Sequence, residues 1–372
     1  MRGSDIRQST SLERSPHSPA VPCFDARFYE ARALWFYARA RRRRIAVNVR
    51  LPRLDVPYSR RPEVDGILDE ARGQRAIEVK SFPVGERDLG AICAHYTELG
   101  FRRLTVIAPA FESSAPNGAL DVELVPFTPE LAVLREHYRR AWPAPSRRIA
   151  SWLAGGGIHF RFSAAEVSPT SPGLRRTLNQ VDKGLRSVEQ LTVELSRRVT
   201  PRVTPIRVHW SPVRVLFPKD LYFRERAAHV LAAPLVFDID GPLIHGAMFP
   251  CTIDPESGLC ADCTSLAKQH ALRLARTLQD RGLEPAVFFS GHRGFHLYVF
   301  EGAPPPGPGR AALHRDILGQ RIAFDRQVTR AAIPLIAFPG SLHGTTTRPL
   351  VGVEGERLAQ FHPEQSPAVG AP

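Results

Sequence analysis

Residues 234–241 read Pro-Leu-Val-Phe-Asp-Ile-Asp-Gly. A short apolar run of this kind, closed by glycine, is expected to be a strand. Side chains alternate along a strand, so Asp238 and Asp240 leave one face while Ile239 turns into the core. Two carboxylates on one face repel each other and raise each other's pKa unless a cation lies between them. Mg²⁺ takes oxygen ligands and bridges to phosphate oxygens, and a pair of such ions can stabilise the attacking and leaving oxygens of a phosphoryl transfer. The chain must therefore build a sheet whose strand ends at a polar site. A solvated strand end or an Asp capping pair is the competing reading.

Two further turns follow apolar runs. Ser290-Gly-His-Arg-Gly-Phe-His296 has two glycines that permit close backbone approach to a ligand. Arg293, His292 and His296 supply donors suited to a triphosphate, and Ser290 adds a hydroxyl. An ordinary hairpin turn with incidental histidines is the alternative. Ala337-Phe-Pro-Gly-Ser-Leu-His-Gly344 is the second turn, and Asp325 precedes His343 by 18 residues. Between the first strand and these turns lie Cys251, Cys260 and Cys263, three of five cysteines. Cys260-Ala-Asp-Cys263, just before a helical pattern, is a frequent half of a tetrahedral zinc site. Cys251 is the natural third ligand; His245 is the first choice for the fourth, with Asp254 and His270 behind it. Three thiolates and a histidine leave no open position, so such a site is structural. A redox pair is the other reading of the C-x-x-C spacing.

The 372 residues allow two domains and a linker. Lysine and arginine outnumber aspartate and glutamate by 50 to 37, giving +13, which suits an anionic partner such as nucleic acid. Codon bias toward Arg, Ala, Pro and Gly is a second source of that excess. No stretch approaches 18 uncharged apolar residues, so no membrane span is expected. Met1–Ala20 lacks the apolar core of a signal peptide. Clustered cysteines fit a reducing cytoplasm better than a disulfide framework.

Upstream, Phe24–Arg44 reads as a helix ending in the basic run Arg41–Arg44. Val64–Leu68 and Ala76–Ser81 read as strands around a turn, Glu86–Leu99 as a helix, and Leu104–Ala108 as a strand. Glu63-Val-Asp65-Gly-Ile-Leu thus precedes Ala76-Ile-Glu78-Val-Lys80-Ser. Glu78 and Lys80 share a strand face, and in a hairpin Asp65 reaches the same point. A carboxylate pair with a nearby lysine can bind Mg²⁺ and activate water. A half-exposed hairpin with a merely charged outer face is the plainer alternative.

In order, spacing and strand context, Asp238-Ile-Asp240, Ser290 to His296, and Asp325 followed by Pro339-Gly-Ser-Leu-His343 resemble the motif series of the archaeo-eukaryotic primase superfamily, most of all its small catalytic subunits. The resemblance covers roughly residues 206–353. It implies a metal-binding triad of Asp238, Asp240 and Asp325, with Ser290, Arg293, His296 and His343 on the phosphates of an incoming nucleotide. It also supports zinc at Cys251, Cys260, Cys263 and His245. His209-Trp-Ser211 is a fainter match to the family's aromatic–serine strand. The chain departs from the family pattern at His292, where a second Arg is common, and at Ala337, where a Lys or Arg usually stands; Arg330 and Arg348 are candidate replacements. Over residues 24–112 the chain resembles PD-(D/E)xK nucleases. That implies a site of Glu30, Asp65, Glu78 and Lys80.

The expected fold class is α/β and α+β. A disordered tail (1–20) precedes a restriction-endonuclease-like domain (21–142) and a linker with a bridging helix (143–205). A primase-like domain with an inserted zinc knuckle (206–355) and a tail (356–372) complete it. The expected function is primase-like nucleotidyl transfer with Mg²⁺ or Mn²⁺ on a single-stranded DNA template, using nucleoside triphosphates. An accessory primase subunit or helicase is an implied partner. A DNA nuclease with a degenerate primase-like domain and a non-catalytic nucleic-acid-binding protein are the alternatives.

Overall fold

The computed structural model describes residues 26–51, 63–116, 118–140, 146–166, 177–181, 185–200, 203–215, 230–241, 251–331, 334–353 and 355–369. Elements are labelled in chain order. The first sheet carries β1 (Ile45–Arg50), β2 (Glu63–Glu70), β3 (Gly73–Val79), β4 (Arg103–Ala108) and β5 (Asp121–Pro126) in that order, with β12 (Cys251–Ile253) added beyond β1. β1, β2 and β3 are antiparallel, whereas β3, β4 and β5 are parallel. A parallel neighbour needs a crossover. The helix α2 (Glu86–Glu98) supplies it and buries Leu89, Ile92 and Tyr96. These pack with Val64, Ala76, Leu104 and Val106. The helix α1 (Ala26–Arg41) contributes Phe28, Tyr29, Leu34 and Tyr37 to a different core, so the sheet is covered on both faces.

A second sheet has the order β15 (Ile336–Ala337), β8 (Val203–Ser211), β6 (His159–Glu166), β7 (Thr177–Val181). A third, antiparallel sheet runs β11 (Leu235–Asp240), β14 (Gly294–Val299), β13 (Ala286–Phe289), β16 (Val351–Val353). A two-stranded ribbon pairs β9 (Arg214–Val215) with β10 (Val230–Ala232). The helices α3 (Leu131–Arg139), α4 (Arg147–Ala154) and α5 (Val188–Ser196) bury their apolar faces in the core they share with α1 and β8. The helix α6 (Ala261–Gln279) packs Ala267, Ala271, Leu274 and Leu278 under the third sheet, beside Ile317 of α7 (Pro308–Gly319). A one-turn helix, α8 (Arg326–Arg330), follows. The strands expected at 64–68, 76–81, 104–108 and 235–240, and the helices at 86–99 and 264–279, all form with ends shifted by a few residues.

Three expectations are corrected. Residues 143–205 are not a linker: β6 pairs with β8 from His159↔Ser211 to Glu166↔Val203, and β7 pairs with β6. Among the described residues the expected bridging helix forms at Val188–Ser196, and Thr177–Val181 is a strand. The 356–372 tail is partly packed, because Leu358 and Phe361 are apolar and buried, and Phe361 packs at a tilt on Phe289 with ring centroids 5.2 Å apart. Residues 1–20 lie outside the described residues. Among the described residues no helix is long and apolar enough to cross a membrane.

Candidate functional site

The face of the third sheet opposite α6 carries the acidic strand end. Ile239 is fully buried in the α6 core, so Asp238 and Asp240 point the other way, as the alternation requires. Register pairs Asp238 with His296 and Asp240 with Gly294 on the neighbouring strand. His296 Nε2 lies 3.5 Å from Asp238 Oδ1. Asp325 arrives from far along the chain, and its backbone N–H donates to the Asp238 carbonyl at 2.7 Å. Its carboxylate Oδ1 also accepts from Gln327 N at 2.7 Å, capping α8.

The electrostatics follow from this crowding. Burial, then the Asp240 and Asp325 carboxylates, push Asp238 up to about 7 against the pull of Arg207. Asp240 keeps an exposed edge but is also raised, by desolvation and by Asp325, with Arg293 opposing. Burial and then Arg207 hold His296 down at about 3. His292 and His343 lie well below the usual range, again through burial and then arginine charges. The three histidines are therefore neutral near pH 7 and act as hydrogen-bonding groups. The positive charge of the site belongs to Arg293, Arg207 and Arg348. Thr345 N–H donates to His343 Nδ1 at 3.3 Å, which places the remaining ring proton on Nε2 as a donor.

Arg207, on β8, bears on Asp238, Asp240, His292, His296 and His343. No local pattern marks it, because only the packing of the two sheets, with Trp210 of β8 against Tyr298 of β14, brings it there. Arg348 bears on His292, whereas Arg330 bears on His314 away from the site. Ala337 itself is buried in β15 opposite His209 and brings no charge.

The turns are built for close approach. Ser290 is buried, and its oxygen accepts from Gly294 N at 3.1 Å and His292 N at 3.4 Å, leaving its hydroxyl proton to donate. Gly291 has φ +80°, and a Cβ there would sit 2.6 Å from the Arg348 carbonyl. Gly291→Ala is expected to lower stability by roughly 1–3 kcal/mol, measured by denaturant unfolding. The Pro339–His343 turn is held from α3, since the Leu342 N–H donates to the buried Tyr138 hydroxyl at 3.1 Å. Tyr138→Phe strands that amide and is expected to lower stability by about 1–3 kcal/mol in the same measurement.

A second group of charged residues, Glu30, Asp65, Glu78 and Lys80, converges at the first sheet. Asp65 on β2 accepts the Val79 N–H at 2.8 Å. Burial first, then Glu78 and, more weakly, Glu30 on α1, raise Asp65 to about 7, with the Val79 amide and Lys80 opposing. Lys80 forms an ion pair with Glu78, whose other oxygen accepts the Tyr96 hydroxyl at 2.6 Å. Tyr96, on α2, was not anticipated.

The Cys251, Cys260 and Cys263 sulfurs all lie within 4.8 Å of one another, the one such metal-ligating trio among the described residues. No trio of carboxylates among the described residues closes to that spacing. Hydrogen bonds from the other two thiols pull Cys260 below the usual thiol range. Of the fourth-ligand candidates, Asp254 Oδ1 accepts from Glu256 N and Ser257 N. His270 Nδ1 accepts from Ala323 N at 3.0 Å. Both are engaged elsewhere, and His245 lies outside the described residues.

A sheet end with convergent carboxylates, faced by arginines and neutral histidines, can hold divalent cations and a polyphosphate. Sequence comparison points to the same class. No protein-family model matches the chain. It is 27% identical over 197 residues to the DNA primase small subunit PriS of Sulfolobus acidocaldarius, covering 41% of this chain and 60% of that protein. It is 25% identical over 224 residues to the PriS proteins of Saccharolobus islandicus and Saccharolobus solfataricus, covering 48% of this chain and 67% of each. The chain is thus a distant sequence relative of archaeal primase small subunits, spanning about three-fifths to two-thirds of their length. Among solved structures, the polymerase domain from Mycobacterium tuberculosis Ligase D in complex with DNA aligns with a TM-score of 0.37 at 15% identity, covering 62% of this chain and 82% of that one.

Proposed function

We propose that the chain is a primase-like nucleotidyltransferase that joins nucleotides on a single-stranded DNA template. The observation that carries this reading is the 2.7 Å backbone bond from Asp325 to Asp238. It assembles an acidic triad from distant segments beside His296, Arg293 and Arg207. Asp238, Asp240 and Asp325 offer hard oxygens whose mutual repulsion a divalent cation relieves. Mg²⁺ or Mn²⁺ bound there would supply Lewis-acid charge at the attacking and leaving oxygens. Arg293, Arg207 and Arg348 neutralise the triphosphate. The His343 Nε2–H and the Ser290 hydroxyl each donate one directional hydrogen bond to it. His296 orients Asp238. The cysteine trio holds a structural Zn²⁺.

The test is primer synthesis and extension on single-stranded DNA with Mg²⁺ or Mn²⁺, comparing ribonucleotides with deoxyribonucleotides. Incorporation of either kind is expected; none with either metal removes the reading. A second activity is supported by the convergence of Glu30, Asp65, Glu78 and Lys80 on one side of the first sheet. There the carboxylates would hold a divalent ion, and Lys80 would orient and help deprotonate a water attacking a DNA phosphodiester.

A further inference from the structure

The cysteine trio sits across the seam between the two catalytic units. Cys251 belongs to β12, which is the edge strand of the nuclease-like sheet and pairs with β1 through Val47↔Cys251, Ala46↔Thr252 and Ile45↔Ile253. Cys260 and Cys263 open α6, whose other face supports the acidic strand. The turn joining them is seated on α1: the Trp35 indole donates to the Pro255 carbonyl at 3.2 Å, and Asp254 pairs with Arg44. Gly258, at φ +67°, has the Trp35 ring within 2.6 Å of where a Cβ would be, so turn and helix touch directly. At the other end the Gly241 N–H donates to the Arg293 carbonyl at 2.9 Å. A Cβ on Gly241 would meet the carbonyls of both Arg293 and Cys263 at 2.5 Å. The acidic strand end, the phosphate-facing loop and a metal ligand therefore meet at one point.

We propose that a thiophilic divalent metal at Cys251, Cys260 and Cys263 is the fastener between the two units, holding the edge of the nuclease-like sheet to the helix beneath the acidic strand. This rests on the metal assigned above but not on either catalytic activity. The sulfurs suit it. Tetrahedral zinc–thiolate bonds space sulfurs about 3.8 Å apart, and Cys251 Sγ lies 3.3 Å from Cys263 Sγ, so small side-chain adjustments admit the ion. β12 is only three residues long and, as the edge of its sheet, is paired on one side alone. So short a strand has little hold of its own, and a covalent-strength link at Cys251 decides whether it stays paired. Loss of the metal frees β12, uncovers the edge of β1 that β12 pairs with while β1 stays bonded to β2, and loosens the Gly241–Arg293 junction.

The experiment is hydrogen exchange on the full chain, as purified with Zn²⁺, after removal of the metal by a strong chelator, and after Zn²⁺ is restored. Bound metal is quantified in each state, and Co²⁺ substitution reads thiolate coordination by its visible absorption. The expected result is about one equivalent of zinc, with exchange at β1 and β12 at least about tenfold faster in the metal-free protein and slowed again by Zn²⁺, while β4 and α2 change little. Cys251→Ser should reproduce the effect, and the chelated wild type keeps the test valid if that variant misfolds. Zinc bound but exchange at β1 and β12 unmoved by its removal overturns the fastener and leaves the metal site standing. No zinc or Co²⁺ thiolate signal overturns both.

Discussion

Asp238→Asn is expected to lower nucleotide incorporation by about a thousandfold or more, because it removes the charge proposed to face the metal while keeping the side chain's shape. Its distinctive signature is in stability. Asp238 titrates near 7 in the folded protein, against an ordinary value of 3.8. Its folded pKa is raised, so the stability it contributes is fully present below pH 3.8 and is lost as pH rises through 7. The metal-free wild type should therefore lose stability as pH rises from about 4 to 7 and level off above that. Asp238→Asn should lack that component and be the more stable protein at pH 8, by an amount on the order of 2–4 kcal/mol. Thermal unfolding of both proteins in chelator, from about pH 4 to 8, measures this. Metal binding must displace the same proton, so the apparent affinity for Mg²⁺ or Mn²⁺ should rise across that window. Wild-type incorporation by the variant, or parallel stability curves, would refute the assignment.

Lys80→Ala is the second large effect. Metal-dependent cleavage of DNA is expected to fall by about 10²–10⁴-fold, with nucleotide incorporation unchanged. Lys80 pairs with Glu78, whose other oxygen is held by Tyr96, so the carboxylate stays in place when the lysine is removed. Asp65 loses a neighbour that lowers its pKa and should titrate higher still. Cleavage that survives Lys80→Ala, or wild-type protein that binds but never cuts DNA with Mg²⁺ or Mn²⁺, would reduce this unit to a DNA-binding scaffold. A joint loss of both activities would show that the substitution disturbs the fold rather than one site.

Much of the architecture was legible locally. The strand at Leu235–Asp240 and the opposite facing of Ile239 follow from an apolar run with alternating side chains. The hairpin that brings Asp65 toward Glu78, and the crossover helix after it, follow from strand and helix periods. The three cysteines were identified from spacing alone, and they close to a metal-sized cluster. A local reading takes residues 143–205 as a linker because β6 makes its longest pairing with β8, beyond α5, and only the short β7 pairs with it nearby. Cys251 could be named as a ligand, but nothing around it shows that its strand pairs with Val47.

The sequence by itself determined which chemical groups are present, and where each turns at its own strand end, because side-chain alternation is a property of the backbone. Tertiary structure alone decided their company. Asp325 joins Asp238 through a backbone bond, Arg207 reaches the site through the packing of two sheets, and α3 holds the His343 turn through Tyr138. It also decided charge. A histidine in a sequence is a group poised near neutrality, but desolvation and the arginines around His292, His296 and His343 make them neutral donors. Burial and long-range Coulomb interactions act between residues that only folding brings together, and no local pattern encodes them.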